Sequence, residues 1–425
     1  MNKSKVLSFL LKVFLFLVTS FSLFSANFSL DLESENVICI NGKTGQVLFE
    51  KNADAKIYPA SVTKIASGLY SLVKKKGSHS EKIRADKEAL VCVHCLEKRK
   101  DNYANYPGFV LELDGVTSHI AEGEILSYND LIHIALIHSA NDASNVLAQY
   151  HGNGSIDAFM EELNAFVQKL GCKNTHFCNP HGLHHPDHYT TARDMATIAK
   201  YAMVHPVFSE IIKKPSCEIG PTNKSSKRIY RQKNRLLVKG EYYYPFACGI
   251  KIGYTQKARK NVIAAAQKGD RFLICAVMNC QERFGVFKDA KKVFEAVFKE
   301  EIVNKEIVPK GHMLFKREFS TSYDTLQTYT KSPFTISFYP SEEPVLRCML
   351  TWEELNLPVE QGTKVATLQI LNGDTLIGTH DLFAENTVKK DFWLSFKEYI
   401  SLQTVLLAIL GVTILFALIY IFKRR

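Results

Sequence analysis

Two spacings of apolar residues alternate along this chain and predict its elements. Between 128 and 150 apolar residues recur at helical intervals (131, 132, 134, 135, 136 and 137), with a polar break at Ser139-Ala140-Asn141-Asp142. Residues 156–170 and 192–201 keep that period. So do residues 286–298, where Val286, Phe287, Ala290, Val293, Phe294 and Val297 share one helix face. Apolar runs at 37–40, 46–50, 246–254, 262–266 and 271–278 read instead as strands. The first two are joined by the turn Asn41-Gly42-Lys43-Thr44-Gly45, the last two by Lys268-Gly269-Asp270. Residues 92–112, rich in charge, Tyr and Asn, read as an irregular surface insertion. After 299 helical periodicity fades. Alternation such as Val365-Ala366-Thr367-Leu368-Gln369-Ile370-Leu371, stopped by Asn372-Gly373-Asp374, predicts a small β domain.

Both ends are apolar. Lys3 and Lys5 precede a mostly apolar stretch over 6–24, broken by Lys12, and then small Ser25 and Ala26; residues 1–26 read as a secretory leader. Phe24 stands where a small residue is usual before a cleavage point, so an uncleaved N-terminal anchor is the alternative. At the other end, 402–422 carries no charge and at about 1.5 Å per residue reaches roughly 30 Å, enough for a bilayer. Lys423-Arg424-Arg425 should hold that end in the cytoplasm, with Phe392, Trp393, Phe396 and Tyr399 as interfacial anchors. The body is then expected on the far side of a plasma membrane.

Composition narrows the partners. The chain has 425 residues, 46% apolar and 23% charged, which suits two or three folded domains. Its net charge of +10 suggests anionic surfaces such as phospholipid or cell-wall polymers. No nucleic acid partner is expected, because the lysines are scattered and no nucleic-acid motif is present. Ten cysteines on an exported chain permit disulfides, but their pairing is not readable. Cys92-Val93-His94-Cys95 is an isolated pair with a structural or incidental role; no metal or organic cofactor is implied.

The chemistry centres on Pro59-Ala60-Ser61-Val62-Thr63-Lys64, at the start of a helical run. A serine and a lysine three apart lie on one helix face, and the helix N-terminus adds free N–H groups. Ser71-Leu72-Val73-Lys74 repeats the spacing inside the run and reads as a solvated helix face. Downstream stand Ser139-Ala140-Asn141 and Lys251-Ile252-Gly253-Tyr254-Thr255. Between them lie Asn174-Thr175-His176-Phe177, Asn179-Pro180-His181-Gly182-Leu183, Tyr189-Thr190-Thr191-Ala192-Arg193-Asp194-Met195-Ala196 and Asn234-Arg235-Leu236-Leu237. In order and spacing these resemble the low-molecular-mass penicillin-binding proteins, the serine-type D-alanyl-D-alanine carboxypeptidases. The resemblance covers roughly 35–300 and more weakly the β domain.

That resemblance implies a multi-domain α/β chain. A penicillin-binding-protein/β-lactamase-like transpeptidase domain (27–300), an antiparallel sheet with helices on both sides, precedes a small all-β domain (301–390) and a C-terminal transmembrane helix (402–422). It implies Ser61 as nucleophile, Lys64 as general base and Ser139 as proton carrier. Asn141, Lys251, Tyr254, Thr255 and Arg271 would bind substrate, with the Ser61 and Tyr254 amides as oxyanion hole. Partners would be peptidoglycan stem peptides, with β-lactams as inhibitors, and the plasma membrane. Two departures stand out. Ile252 replaces the family's threonine, which would contact the terminal carboxylate, so Arg271 and Thr255 are expected to hold it instead. Arg259 replaces a usual glycine and puts the local loop geometry in question. The alternatives are an endopeptidase acting on cross-links, a catalytically quiet wall-binding scaffold, or a class A β-lactamase. The last lacks a clear glutamate base, since Glu161, Glu162, Glu210 and Glu218 have the wrong context.

Overall fold

The computed structural model describes residues 14–16, 29–100, 102–399 and 402–423. It divides into two compact units, one of residues 24–301 with 340–342, the other of 1–23, 302–339 and 343–425.

The first unit is built on a five-stranded antiparallel sheet. Its strands are β1 (Asn36–Asn41), β2 (Val47–Lys51), β3 (Ala247–Thr255), β4 (Arg259–Lys268) and β5 (Arg271–Cys280), in the order β3-β4-β5-β1-β2. Helices cover both faces, which is why the strands read as near-continuous apolar runs. Along β5, Ile274, Ala276 and Met278 enter one core while Leu273, Cys275 and Val277 enter the other; Ile38 and Ile40 oppose Val37 and Cys39 on β1 in the same way. One core lies under a helical group containing α1 (Thr63–Lys74), α2 (Asn141–His151) and α3 (Ala192–Val204). The other lies under α4 (Gly285–Phe298), packed on β4 and β5. β3 is an edge strand, and the turn carrying Ser61 packs against it.

Three expectations change here. The segment 92–112 is not merely a surface insertion. Cys92–Val93 pairs in parallel with Leu111–Glu112, Cys95–Lys100 is helical, and Phe109, Val110 and Leu111 are buried. Lys98 is buried too, its ammonium donating to the Val110 carbonyl at 2.6 Å and lying 3.5 Å from Glu112. Its long apolar stem suits that burial, whereas its charge suggested solvent. The second serine–lysine pair is not a solvated face: Ser71 is buried, and Lys74 pairs with Glu162.

Arg271 is the third correction. It sits at the β4–β5 turn, opposite Lys268, whereas Lys251 faces Ile263, which faces Ala276. Five residues separate Ala276 from Arg271, roughly 17 Å of extended strand. Its buried guanidinium pairs with Glu300 at 2.6 Å and Glu342 at 3.0 Å and donates to the Val297 carbonyl. It is a structural cation, and the cleft described below does not include it.

All ten cysteines are unpaired, among them Cys92 and Cys95. In the second unit the strands follow the order Phe14–Phe16, Leu346–Trp352, Lys364–Asn372, Thr375–Ala384, Leu326–Thr330, Gly311–Arg317. Val303–Val308 and Phe334–Phe338 form a second small sheet. The alternation foreseen at 365–371 places Ala366, Leu368 and Ile370 in one core and Val365 in another. Apart from Phe14–Phe16, paired with Cys348–Leu350, the expected leader lies outside the described residues. Phe392–Tyr399 is helical, and Leu402–Lys423 forms one helix of 22 residues. Side chains are described for only part of it, and among the described residues no helix is long and apolar enough to cross a membrane.

Arg271→Ala leaves two carboxylates without their buried cation. It should cost about 3–5 kcal/mol of stability, measured by denaturant unfolding, while kcat/KM of the folded fraction stays at the wild-type value. A selective rise in KM would restore Arg271 to the substrate site.

Candidate active site

Ser61 lies in a single 3₁₀ turn, Ala60–Val62, that runs directly into α1. Asn261 on β4 anchors the approach, donating to the Tyr58 carbonyl at 3.1 Å and the Pro59 carbonyl at 2.9 Å while its own oxygen accepts from the Asn279 amide. Ala60 adopts a left-handed φ of 52°, unfavourable for an L-residue by roughly 1–2 kcal/mol. Two glycines make room for this turn. A Cβ on Gly182 would lie 2.0 Å from the Ala60 oxygen, and one on Gly253 would lie 3.0 Å from the Ser61 nitrogen. The glycine of the Lys-x-Gly strand is therefore required by close approach to the nucleophile.

Lys64 is fully buried one turn beyond Ser61. Its Nζ donates to Asn141 Oδ1 and to the His181 carbonyl, each at 2.7 Å, and lies 3.2 Å from Ser61 Oγ. A neutral amine has two N–H bonds and one lone pair. With both N–H bonds spent on these acceptors, the lone pair is left for the Ser61 hydroxyl. Burial, and then the charge of Lys251, drive the Lys64 pKa well below the ordinary lysine value; Asp142 opposes them. Asp142 is itself buried at the start of α2, where its carboxylate accepts from the amides of Ser118 and Ile120 and from the Ser118 hydroxyl.

Lys251 is 3% exposed, and its pKa is lowered to about 7 by burial and then by Lys233. Its ammonium lies 3.3 Å from the Ile252 carbonyl. Ser139 follows a π-helical turn, Ile134–His138, and takes a left-handed φ of 72°, so the polar break foreseen in the sequence is a real interruption ahead of α2. Asn141 has its oxygen committed to Lys64, which leaves only its amide N–H₂ for a substrate. Thr255 Oγ1 accepts from the Ala258 amide at 3.0 Å, leaving its proton to donate elsewhere. Tyr254 is 59% exposed, with the Lys260 ammonium 3.2 Å from its ring centroid. Arg259 keeps the loop at a left-handed φ of 55°, a conformation that explains the family's preference for glycine, and pairs with Glu35 at 2.6 Å.

Ser61, Ser139, Asn141, Lys251, Ile252, Tyr254 and Thr255 all line one cleft of about 610 Å³. Lys64 lies beneath it. Sequence reasoning missed Arg283, whose guanidinium stacks 5.1 Å from the Phe284 ring in the same cleft, and the acidic Glu112 and Asp114, which line it too. It also quoted His181 and Gly182 without seeing their tasks. The His181 imidazole accepts the Leu183 amide at Nδ1 and so donates from Nε2 to the Phe109 carbonyl, which fixes it as the neutral tautomer. Burial and the nearby Lys64 hold its pKa well below the usual histidine value. Among the described residues no group of three His, Cys, Asp or Glu side chains is arranged to hold a metal ion.

This arrangement can activate a serine, place it beside main-chain amides and present cations to an anionic substrate. Residues 24–282 match the family model described as D-alanyl-D-alanine carboxypeptidase. The carboxypeptidase DacF of Bacillus subtilis is 24% identical over 379 residues, 86% of this chain and 88% of the relative. DacA of Escherichia coli is 28% identical over 378 residues, 88% of each. Among solved structures, the carboxypeptidase DacD of Francisella tularensis superposes with a TM-score of 0.57 at 20% identity, over 85% of this chain and 95% of that one. Penicillin binding protein 5 of Haemophilus influenzae gives 0.56 at 21%, over 85% and 99%. With a match over more than half its length, and a buried lysine set against a serine at a helix start, this chain belongs to the D-alanyl-D-alanine carboxypeptidase family.

Proposed function

We propose that this chain is a membrane-anchored serine peptidase that removes the terminal D-alanine from peptidoglycan stem peptides. The observation that carries the reading is the commitment of both Lys64 N–H bonds to fixed acceptors, which turns its lone pair toward Ser61. Lys64 takes the Ser61 proton as Oγ attacks the carbonyl of the D-Ala–D-Ala bond. The Ser61 and Tyr254 amides hold the oxyanion. Ser139 relays the proton held by Lys64 to the leaving amine, D-alanine departs, and water, giving its own proton to Lys64, then cleaves the acyl-enzyme. Lys251, the Thr255 hydroxyl and Arg283 supply the contacts for the terminal carboxylate that Ile252 does not make. A β-lactam follows the same first half and is released slowly.

The anchor is the helix Leu402–Lys423. Its 22 residues extend about 33 Å at 1.5 Å per residue, and Leu406, Leu407, Ile409, Leu410, Val412, Ile414, Leu415 and Phe416 are exposed apolar side chains. Exposed Phe392, Trp393 and Phe396 precede it, and the basic residues that close the chain favour a cytoplasmic end. The catalytic unit then works on the extracytoplasmic face. A chain ending at residue 391 should leave the membrane pellet for the soluble fraction; retention in the pellet would remove the anchor from the proposal.

Mass spectrometry of that soluble chain tests the chemistry. Incubation with a D-Ala–D-Ala pentapeptide should release one alanine, and penicillin should leave a penicilloyl adduct on Ser61 that Ser61→Ala abolishes. Alanine release that survives Ser61→Ala would sink the assignment; cleavage of cross-linked dimer alone would make the enzyme an endopeptidase.

The pH profile tests the base. Acylation needs neutral Lys64, so its rate is full above the depressed lysine pKa and falls tenfold per unit below it. Because the charge of Lys251 helps depress that pKa, Lys251→Gln should move the acid limb to higher pH. An unmoved limb in the penicillin acylation rate would detach Lys64 from the profile.

A further inference from the structure

The turn that carries Ser61 is held by a chain of buried hydrogen bonds that begins at His188. The Cys178 amide donates to His188 Nδ1 at 3.0 Å, so Nδ1 carries no proton and Nε2 does. Nε2 lies 2.9 Å from Thr63 Oγ1 and donates to it. The Thr63 hydroxyl, its oxygen thus occupied, donates its proton to the Ala60 carbonyl at 2.9 Å. Each proton in the chain has one place to go. His188 is 1% exposed and fixed as neutral imidazole by these contacts; burial, with His176, His185, His184 and Lys64 nearby, lowers its pKa to about 3. The next residues brace the same loop: Tyr189 pairs with His176, and Thr190 exchanges two backbone hydrogen bonds with Ile57, just ahead of the turn.

The Ala60 carbonyl matters because of what shares its peptide plane. In a trans peptide the carbonyl oxygen and the following N–H point in opposite directions. Fixing the Ala60 oxygen, which accepts from the Thr63 amide as well as from its hydroxyl and faces Gly182, therefore fixes the direction of the Ser61 N–H. On the opposite side the Ser61 nitrogen meets Gly253 of β3. Ala60 is in the strained left-handed region, and the Thr63 hydroxyl held by His188 adds to the turn's own Thr63 amide bond in keeping this plane in place.

We propose that His188 is a positioning residue for the oxyanion hole, acting through Thr63 and the Ala60 carbonyl on the amide of Ser61. The inference rests on the proposed use of that amide to hold the oxyanion. His188 touches neither substrate nor reacting atoms. Its contribution is therefore realised in the transition state and leaves ground-state binding alone.

The test is the time course of penicillin acylation, resolved into the dissociation constant of the non-covalent complex and the acylation rate constant. It uses the full chain and four variants. His188→Leu keeps the volume and removes the donor; Thr63→Val removes only the hydroxyl. Both should lower the acylation rate constant roughly 10- to 100-fold, with the dissociation constant unchanged within about twofold. His188→Gln, whose amide can accept from Cys178 and donate to Thr63, and Thr63→Ser should stay within about threefold of wild type. Acylation at the wild-type rate in Thr63→Val or His188→Leu would overturn the proposal. So would a loss confined to binding, or a failure of His188→Gln to rescue. Should His188→Leu not fold, Thr63→Val and the two conservative variants still decide. If the wild-type chain forms no adduct on Ser61, the functional reading falls and this inference with it; variants as fast as an active wild type sink the inference alone.

Discussion

Burying an amine that is a cation in water is the constraint around which the catalytic unit is organised. Lys64 has no access to solvent, and desolvation alone would make its charged form costly by several kcal/mol. The fold offsets this by holding the lysine pKa well below its ordinary value and giving the amine two fixed acceptors. Each acceptor comes from a different part of the chain, one from the start of α2 and one from the loop before α3. A residue 77 positions away and another 117 positions away must therefore be correctly placed before the base exists. Catalytic competence and completed folding are in this sense one event.

The same economy governs Ser61, the proposed nucleophile. Ser61 sits where a helix start, an edge strand and a glycine loop converge, and a Cβ on either Gly182 or Gly253 would crowd the backbone of its turn. Gly182 and Gly253 are not flexible joints here; both mark backbone passing within contact distance of the turn. Asn261 and the Thr190–Ile57 pairing bind the preceding residues from two sides. Lys251 lowers the affinity of Lys64 for protons and also lines the cleft, so one cation tunes the proposed base and faces the proposed substrate site.

Much of this was legible in the sequence, and the parts that were not share a cause. Ser61 and Lys64 could be paired because three residues on a helix are a fixed distance apart. Ser139, Asn141 and Lys251 followed from the family resemblance that the order of the motifs carries, and the helix of 286–298 from its period. Arg271 was misplaced because a matching residue type shows neither that β4 lies between its strand and β3 nor which end of a ten-residue strand is near a site. Lys98 and Ser71 were read as solvated because composition cannot show that a charged or polar head meets a carbonyl or a packed helix inside the fold. The tasks of His181, His188 and Asn261 are contacts between segments far apart in sequence, which leave no local spacing to detect. The two-sided burial of the sheet came from the family resemblance, and the continuously apolar strands agree with it.

β3, the edge of the sheet, has a consequence for what the cleft can accept. An edge strand offers main-chain donors and acceptors at regular intervals, and a peptide that docks there does so in extended form, as if it were a sixth strand. Main-chain pairing is blind to side chains, so a stem peptide gains grip from its length and straightness before its composition is read. Discrimination is then left to the last residue, where the chain must stop and present a carboxylate to the cations of the cleft. Such an enzyme distinguishes an end from a middle more sharply than one sequence from another.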